Sequence, residues 1–256
     1  MAWSCSSSTN GGLVRNLRSA GLLSSARVEL ALRATDRACY VSAKSETPYA
    51  DAPSAIGFEA TISAPHMHAM ALELLAPALC SPSCLALDVG CGSGYLAACL
   101  HRLVEEQNGR VFAVDYLEPL TDLTIANLTR DNPRLLEGPR AIQVATRDGW
   151  HGWPEHGPFD AIHVGAAAAS VPEELVRQLK PGGRLVIPVG PQFGTQKLLQ
   201  IDRDLAGEGY TRKVITGVRY VPLVRAQKPG NDGAPPLKPR PPQCASSPPS
   251  SSTMSA

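Results

Sequence analysis

The stretch Leu85-Ala-Leu-Asp88-Val-Gly90-Cys-Gly92-Ser-Gly94 decides the fold of this 256-residue chain. Its first five residues form an apolar run that is too short for a helix and ends at glycines, which predicts a buried parallel strand. The glycines predict a turn whose backbone N–H groups face outward, so that a ligand can approach the main chain. The stretch therefore predicts a strand, a ligand-binding turn and a helix, as in a doubly wound sheet.

Strand-like and helix-like segments alternate on both sides of this stretch, which is typical of a parallel sheet with crossover helices. The pattern predicts helices over 96–107, 117–128 and 172–179, and strands over 111–114, 141–145, 159–164 and 184–189. Gly109 is expected to cap the first helix, and the Pro-Gly-Gly sequence at 181–183 to turn into the last of these strands. Two β-rich runs, 197–201 and 210–223, predict antiparallel strands that close one edge. The predicted class is α/β, a doubly wound and mainly parallel sheet with an N-terminal helical lead-in.

The composition changes after residue 225, where prolines alternate with serines and aromatic residues vanish. A segment of this kind buries too little apolar surface to order itself. The sequence therefore predicts one domain over 1–225 and a disordered Pro/Ser-rich tail over 226–256. The stretch Pro236-Leu-Lys-Pro239-Arg240 fits a polyproline ligand for an aromatic groove, although chance matches are common in such tails.

The balance of charge and the cysteine count exclude several classes of protein. The chain has 24 Lys and Arg against 23 Asp and Glu, a formal net charge of +1, so nothing indicates a nucleic-acid surface or an anionic membrane. No apolar run approaches the ~20 residues of a membrane span, and the first residues lack the core of a signal peptide. Seven scattered cysteines favour free thiols in a reducing compartment. We expect a cytosolic monomer with no nucleic-acid or membrane partner.

Carboxylates end three successive predicted strands at one edge of the sheet. Asp88 precedes the glycine turn, Asp115 lies 25 residues beyond Gly90, and Asp148-Gly149 ends the following strand. The spacing of Asp115 is close to the ~20 residues expected of the acid that binds ribose hydroxyls. Tyr95 stands where a nicotinamide fingerprint requires glycine, and no Lys-Ser/Thr follows to hold phosphates. S-adenosylmethionine, with adenosine and an amino-acid end but no phosphate, fits this pattern. The alternatives are that Asp88 caps a helix and Asp148 stabilises a turn.

Longer motifs resemble the protein-L-isoaspartate (D-aspartate) O-methyltransferase family over about residues 13–223. They are Ile56-Gly-Phe-Glu-Ala-Thr-Ile-Ser-Ala-Pro-His-Met-His68, Ala86-Leu-Asp-Val-Gly90, Phe159-Asp-Ala-Ile-His-Val-Gly-Ala-Ala-Ala168, Leu179-Lys-Pro-Gly-Gly-Arg-Leu185 and Tyr220-Val-Pro-Leu223. The resemblance implies the class I fold of S-adenosylmethionine-dependent methyltransferases. It also implies methyl transfer to the free carboxylate of L-isoaspartyl and D-aspartyl residues in damaged proteins, which begins their repair. Isoaspartyl-containing proteins and peptides are the implied partners.

The resemblance also assigns site residues. Ser63 is implied as the catalytic residue. The residues implied to bind the cofactor are Ala60, Thr61, Ile62, Ser63, His68, Asp88, Gly90, Gly92, Asp115, Tyr116, Asp148 and Gly149. No metal is expected, because the reaction needs none and the His66-x-His68 pair has no evident third ligand nearby.

Two local patterns near these residues allow a structural interpretation as well. Ser63-Ala-Pro65 predicts a helix N-cap followed by a first-turn proline, so that a hydroxyl and backbone donors could point together at a carboxylate. Capping alone is the alternative for Ser63. His163 lies inside an apolar strand and is expected to be a hydrogen-bonded core histidine.

Four positions depart from the familiar animal pattern of the family. Ala55 replaces Ser, Glu59 replaces Gln, Cys91 replaces Ser, and Val224 with the tail replaces the usual final segment. Glu59 would repel a substrate carboxylate unless it points away. The replaced end leaves open any cofactor contact from that segment.

Methyl transfer from a sulfonium to a carboxylate is an in-line displacement that needs no general base, since a carboxyl group with a pKa of about 4 is already ionised near neutral pH. Catalysis then depends on alignment and on excluding water. The alternative function is a catalytically idle methyltransferase fold that serves as an adaptor through its Pro-rich tail. The presence of Asp88, Gly90, Gly92, Asp115 and Ser63 favours the enzyme.

Overall fold

The computed structural model describes residues 5–43, 45–192 and 194–225. Most of the predicted domain 1–225 therefore lies within the described ranges, whereas the predicted tail 226–256 lies outside them. Among the described residues, no helix is both long enough and apolar enough to cross a membrane.

Strands and helices alternate along the chain after an N-terminal pair of helices. The strands are β1 (Ser54–Gly57), β2 (Ala60–Ile62), β3 (Leu85–Val89), β4 (Arg110–Asp115), β5 (Gln143–Thr146), β6 (Phe159–Val164), β7 (Leu179–Val189), β8 (Gln196–Arg203) and β9 (Tyr210–Val218). The α-helices are α1 (Asn10–Ser19), α2 (Ala26–Ala34), α3 (Pro65–Leu75), α4 (Tyr95–Val104), α5 (Glu118–Asp131) and α6 (Glu173–Arg177). Short 3-10 helices lie at Arg37–Cys39, Ala76–Ala78, Glu105–Gln107, Pro133–Leu136 and Pro154–His156.

Seven strands form one sheet in the order β5-β4-β3-β6-β7-β8-β9. The pairs β4–β5, β3–β4, β3–β6 and β6–β7 are parallel, and β8 and β9 add antiparallel at one edge. The chain leaves β3 towards β4 on one side and returns to β6 on the other, so the carboxyl end of β3 is the switch point where ligands bind in such sheets. The predicted class and the antiparallel edge are confirmed.

Both faces of the sheet are covered, as consecutive residues of β4 show. Val111 and Ala113 pack into an apolar cluster with side chains of α1, α2, α3 and α4. Phe112 and Val114 point the other way, into a cluster with side chains of α6. Burial on both faces explains why the central strands β3 and β4 are mostly apolar rather than alternating between apolar and polar residues.

The predicted N-terminal lead-in consists of two capped helices. The Thr9 hydroxyl accepts a hydrogen bond from the Gly12 N–H at the start of α1, and Ser25 does the same for Val28 at the start of α2. These caps satisfy backbone donors that have no partner within the helix. The apolar sides of both helices join the cluster formed by α3 and α4.

Two local predictions are wrong for identifiable reasons. The left-handed residue after α4 is Asn108 (φ 53°), not Gly109. Gly109 must be small for another reason, because a Cβ atom there would lie 2.7 Å from the Cys84 carbonyl oxygen. The Pro-Gly-Gly sequence at 181–183 does not precede the strand but lies inside β7, where the pairing with β6 shifts register.

The β1–β2 hairpin was not anticipated by any turn signal. Its two central residues, Phe58 and Glu59, have φ angles of 52° and 58°. A two-residue turn with both angles positive normally contains Asn, Asp or Gly. The sequence therefore gives no local signal for this hairpin, whose residues 58–60 line a cavity together with the loop after β3.

Candidate active site

The loop after β3 is held against the end of the neighbouring strand. The backbone N–H groups of Gly90 and Cys91 donate to the Val114 carbonyl at 2.8 and 3.1 Å. Gly94 precedes α4 with φ 81°, and a Cβ atom there would lie 2.9 Å from Thr124 Cγ2. Only glycine fits both this backbone angle and the close approach of α5.

Three cavities meet beside this loop. The glycine-loop cavity, of about 270 Å³, is lined by Phe58, Glu59, Ala60, Thr61, Gly90, Gly92, Asp115, Tyr116, Leu120, Gly149, Gly165, Ala166, Gln192, Val221, Pro222, Leu223 and Val224. The small cavity, of about 30 Å³, is lined by Thr61, Ile62, Ser63, His68, Asp88, Gly90, Cys91, Gly92, Ser93, Leu96, His163 and Gly165. The broad cleft, of about 1160 Å³, is lined by Ser63, His66, Gln196, Tyr220 and their neighbours. Thr61 and Gly165 line all three cavities and mark their junction.

Asp115 lies at the end of β4 with its carboxylate towards the glycine loop. Its Oδ2 accepts a hydrogen bond from the Gly92 N–H at 3.0 Å, and its Oδ1 a longer one from Leu117 at 3.5 Å. Burial raises the pKa of this carboxyl above its ordinary value, and the backbone donors oppose that rise. Additional donors, such as a pair of ribose hydroxyls, would favour the ionised form further.

Asp88 is 1% exposed and lines the small cavity. Its Oδ1 is 2.8 Å from His163 Nδ1, whereas its Oδ2 is buried without a hydrogen-bond partner. A buried carboxylate oxygen without a donor is unfavourable. A cationic donor that enters this cavity, such as the ammonium group of an amino acid, would satisfy it.

Ser63 lies at the border of the small cavity and the broad cleft. The N-cap of α3 is Ala64, which makes no side-chain capping bond, so the prediction of Ser63 as N-cap is wrong by one residue. Pro65 in the first turn is confirmed. The Ser63 hydroxyl is therefore not used for capping, and the simpler alternative of a purely capping serine is excluded.

The first-turn donors of α3 are engaged elsewhere. Pro65 has no N–H, His66 donates its N–H to Asp51 at 3.0 Å, and those of Met67 and His68 bond to the Ala64 carbonyl. The prediction that helix donors and the Ser63 hydroxyl point together at a carboxylate is thus not supported for these groups. The polar side chains that line both the small cavity and the broad cleft are those of Ser63 and Thr61.

Tyr220 was not predicted as a site residue, yet it lines the broad cleft with Ser63. Burial raises the pKa of its phenol to about 12, and a side-chain hydrogen bond with Ser63 opposes that rise. The buried amide of Gln196 holds the Tyr220 main chain, since it accepts from the Tyr220 N–H at 2.6 Å and donates to its carbonyl at 3.2 Å. The motif at 220–223 contributes to the family resemblance, but the sequence alone assigned no role in the site to Tyr220.

His66 and His68 take different partners and do not act as a pair. The His66 Nδ1 is 2.8 Å from the fully buried Asp51 carboxylate, and its ring borders the broad cleft. His68 packs against the Tyr95 ring, and its Nδ1 is 3.5 Å from Arg37 Nη1. Burial lowers the pKa of His68 well below its ordinary value, and the Arg37 charge lowers it further. His68 is thus a neutral wall of the small cavity.

Of the residues implied to bind the cofactor, all except Asp148 line the glycine-loop or the small cavity. Asp148 accepts a hydrogen bond from the Trp150 N–H at 2.9 Å, as the turn-stabilising alternative expects, and only its neighbour Gly149 borders the cavity. Sequence reasoning missed Gly165 and the segment 221–223. Gly165 follows β6 at the same carboxyl edge as the glycine loop, so the strand-end argument could have found it.

Three of the four positions that depart from the family pattern line the glycine-loop cavity or the small cavity. Glu59 lines the glycine-loop cavity. Cys91 is buried with its thiol 3.4 Å from the Thr124 hydroxyl. Leu223 and Val224 line the glycine-loop cavity, so the final described segment contributes to this wall despite its altered sequence. Ala55 lies in β1, and nothing in the structure explains its replacement of serine.

A comparison with protein families matches residues 8–228 to the sequence model described as protein-L-isoaspartate(D-aspartate) O-methyltransferase. The chain belongs to this family. Similar proteins include protein-L-isoaspartate O-methyltransferase 1 of Arabidopsis thaliana, 46% identical over 86% of this chain and 94% of the relative. The Caenorhabditis elegans enzyme is 40% identical over 90% and 99% of the two chains.

Among solved structures, the Plasmodium falciparum member of the family aligns with a TM-score of 0.77 and 33% identity over 85% of this chain and 99% of that one. That protein was crystallised with S-adenosyl-L-homocysteine. These likenesses favour the methyltransferase over the idle adaptor. For a member of this family, the glycine-loop and small cavities form the candidate cofactor site. The broad cleft is the candidate site for the polypeptide substrate.

Proposed function

We propose that this chain transfers the methyl group of S-adenosylmethionine to the free carboxylate of L-isoaspartyl residues, and of D-aspartyl residues, in damaged proteins. The observation that supports this most directly is the position of Ser63, which borders both the small cavity and the broad cleft. A group held by its hydroxyl lies next to the junction at Thr61 and Gly165, where cofactor and substrate would meet.

The residues of the two inner cavities suit S-adenosylmethionine. Asp115 would accept the ribose hydroxyls, and the unpaired Oδ2 of Asp88 would accept the ammonium group. The exposed ring of Tyr116 and the Leu120 side chain border the space for the base. Asp148 lies next to Gly149 of this cavity and is our candidate acceptor for the adenine amine. Carboxylates rather than basic groups dominate these walls, which disfavours a phosphate-bearing cofactor and favours a cationic one.

S-adenosylmethionine supplies an electrophilic methyl group on a sulfonium. A carboxylate oxygen of the substrate forms the new bond to this methyl carbon as the carbon–sulfur bond breaks, so no proton has to move. Ser63 orients the carboxylate through a neutral hydroxyl, with Tyr220 beside it. A neutral donor suits this step better than Arg or Lys, because a strong cation would stabilise the ground-state charge that disappears in the transition state.

The same geometry supports exclusion of water from the reacting groups. The segment 221–223 is fixed to the loop after β6, because Ala167 donates its N–H to the Val221 carbonyl and accepts one from Leu223, both at 2.8 Å. This segment and the β1–β2 hairpin form walls of the glycine-loop cavity. Removing water strengthens the electrostatic interactions inside such a site.

Glu59 lines the cofactor side of the site and is absent from the lining of the broad cleft. Its charge would then act on the sulfonium cofactor rather than on the substrate carboxylate. The departure from Gln at this position is therefore compatible with the proposed reaction.

We further propose that the protein acts as a monomer in the cytosol and without nucleic acid. The near-neutral net charge of +1 supports the last point. Six of the seven cysteines lie among the described residues, and all six are free thiols, as expected in a reducing compartment.

Ser63→Ala tests the proposed reaction and the placement of the substrate. With methyl-labelled S-adenosylmethionine and an isoaspartyl peptide, the wild-type chain should form base-labile methyl ester, and the variant at least ~10-fold less, equivalent to ~1.4 kcal/mol. Cofactor affinity, measured by calorimetry, should change little. Ser81→Ala, at an exposed serine before β3, is the matched control. If the wild type binds the cofactor but forms no ester, the adaptor is favoured. If Ser63→Ala loses turnover and cofactor affinity equally, Ser63 does not act on the substrate carboxylate.

A further inference from the structure

The register of the sheet places His163 at the candidate cofactor site. It is the fifth residue of β6, and in the parallel ladder its Cα pairs with that of Asp88 in β3. Their side chains are 8% and 2% exposed, and His163 Nδ1 is 2.8 Å from Asp88 Oδ1. Because an ionised carboxylate can only accept hydrogen bonds, we assign the proton of this contact to His163 Nδ1.

This contact determines which Asp88 oxygen stays available. Oδ1 is engaged by His163, whereas Oδ2 is buried and has no hydrogen-bond partner. Both residues line the small cavity of about 30 Å³. That volume is enough for one water or one ammonium group, since a single water needs roughly 10–15 Å³.

Two other ionisable groups that line the small cavity, Cys91 and His68, add no charge to it. Burial raises the pKa of the Cys91 thiol well above its ordinary value, and the nearby Asp115 and Asp88 carboxylates raise it further. His68 is kept neutral by burial and by Arg37, and Arg37 itself donates to the Ser63 carbonyl at 2.9 Å. The cavity is thus ready for a cationic donor rather than for an anion.

We propose that His163 is a positioning residue for the cofactor: its Nδ1–H holds the Asp88 carboxylate so that Oδ2 receives the ammonium group of S-adenosylmethionine. This inference rests on the proposed function and deepens it. It also extends the expectation of a core histidine, because the hydrogen bond of His163 is made to a carboxylate of the site.

The test compares two ligands that differ in the amino-acid end. S-adenosylhomocysteine carries the ammonium group, and 5′-methylthioadenosine lacks that whole end. Calorimetry on the full chain should show that His163→Leu lowers the affinity for S-adenosylhomocysteine by about 10-fold or more. The affinity for methylthioadenosine should change by less than about 2-fold. His163→Asn should restore most of the affinity, since its side-chain amide can donate from nearly the position of Nδ1.

His163→Gln is the second variant if His163→Leu unfolds, because its amide nitrogen lies nearer the place of Nε2 and cannot hold Oδ1 in the same way. It should show the same selective loss. Unchanged affinity for both ligands would reduce His163 to a core residue, and an equal loss for both would indicate general distortion; either result overturns the proposal. A third outcome separates this inference from the proposed function. If His163→Leu selectively loses affinity for S-adenosylhomocysteine but the wild type transfers no methyl group, the proposed function fails and the role of His163 in binding stands.

Discussion

Among single residues, Asp115 makes the most direct prediction about the cofactor. Asp115→Asn should weaken binding of S-adenosylmethionine by about 10-fold or more, because hydrogen bonds to a charged acceptor contribute roughly 1.5–3 kcal/mol each. Asp122→Asn, on the exposed side of α5, should leave the affinity unchanged. Titration calorimetry measures both, and an unaltered affinity in Asp115→Asn would place the ribose elsewhere.

The same carboxyl predicts how cofactor affinity depends on pH. Burial raises the pKa of Asp115, so in the free protein its ionised form costs stability near neutral pH, and that cost disappears as the pH falls through the raised pKa. Bound hydroxyl donors favour the ionised form instead. Affinity should therefore fall as the pH decreases through this pKa, with proton release on binding. An affinity that stays constant down to about pH 4 would contradict this.

Site residues at the ends of strands could be predicted from the sequence. Site residues whose role depends on a contact with a distant part of the chain could not. Asp88 and Asp115 follow from their strands, and both are found at the predicted edge. The link of His163 to Asp88 depends on the register of two strands that are 75 residues apart. The place of Tyr220 depends on the Gln196 amide, another long-range contact.

The connection between β3 and α4 predicts how much stability a single added methyl group costs. Gly94→Ala combines a left-handed backbone angle with a clash against α5, while Gly138→Ala has a similar angle (φ 75°) and open space around it. Gly138→Ala should cost ~1 kcal/mol and Gly94→Ala a further 1–3 kcal/mol or so. Only the latter should also weaken cofactor binding. Thermal unfolding compares the two, and equal midpoints would show that α5 gives way.

Elements with strong apolar patterns could be predicted closely, and those without them could not. The strand predicted over 159–164 matches β6, and the run predicted over 111–114 lies within β4. The β1–β2 hairpin escapes because Phe58 and Glu59 occupy positions that usually carry turn-forming residues. Its conformation depends on the surrounding fold rather than on local preference.

Two truncations distinguish the contribution of the domain from that of the predicted tail. A chain that ends at Arg225 should keep its unfolding midpoint and its turnover, because the tail 226–256 is predicted to be disordered. A chain that ends at Tyr220 should lose cofactor affinity, because it lacks the residues after 220 that wall the glycine-loop cavity and the Leu223 carbonyl that accepts from Trp150 Nε1 at 3.0 Å. Loss of activity in the longer chain would show that the tail contributes to the domain.

Substrate choice tests the proposed function most directly. A peptide with one L-isoaspartyl residue and its sequence-identical L-aspartyl partner carry the same charge, so long-range attraction cannot distinguish them. In the isoaspartyl form the main chain runs through the extra methylene, and this displaces the reacting carboxylate by about a bond length. An error of ~1 Å in an aligned transfer can cost ~100-fold in rate.

The measurement is the initial rate of base-labile methyl ester formation on both peptides with labelled S-adenosylmethionine. We expect rapid labelling of the isoaspartyl peptide and at least ~100-fold slower labelling of the aspartyl peptide. Equal labelling of the two peptides would contradict the repair function.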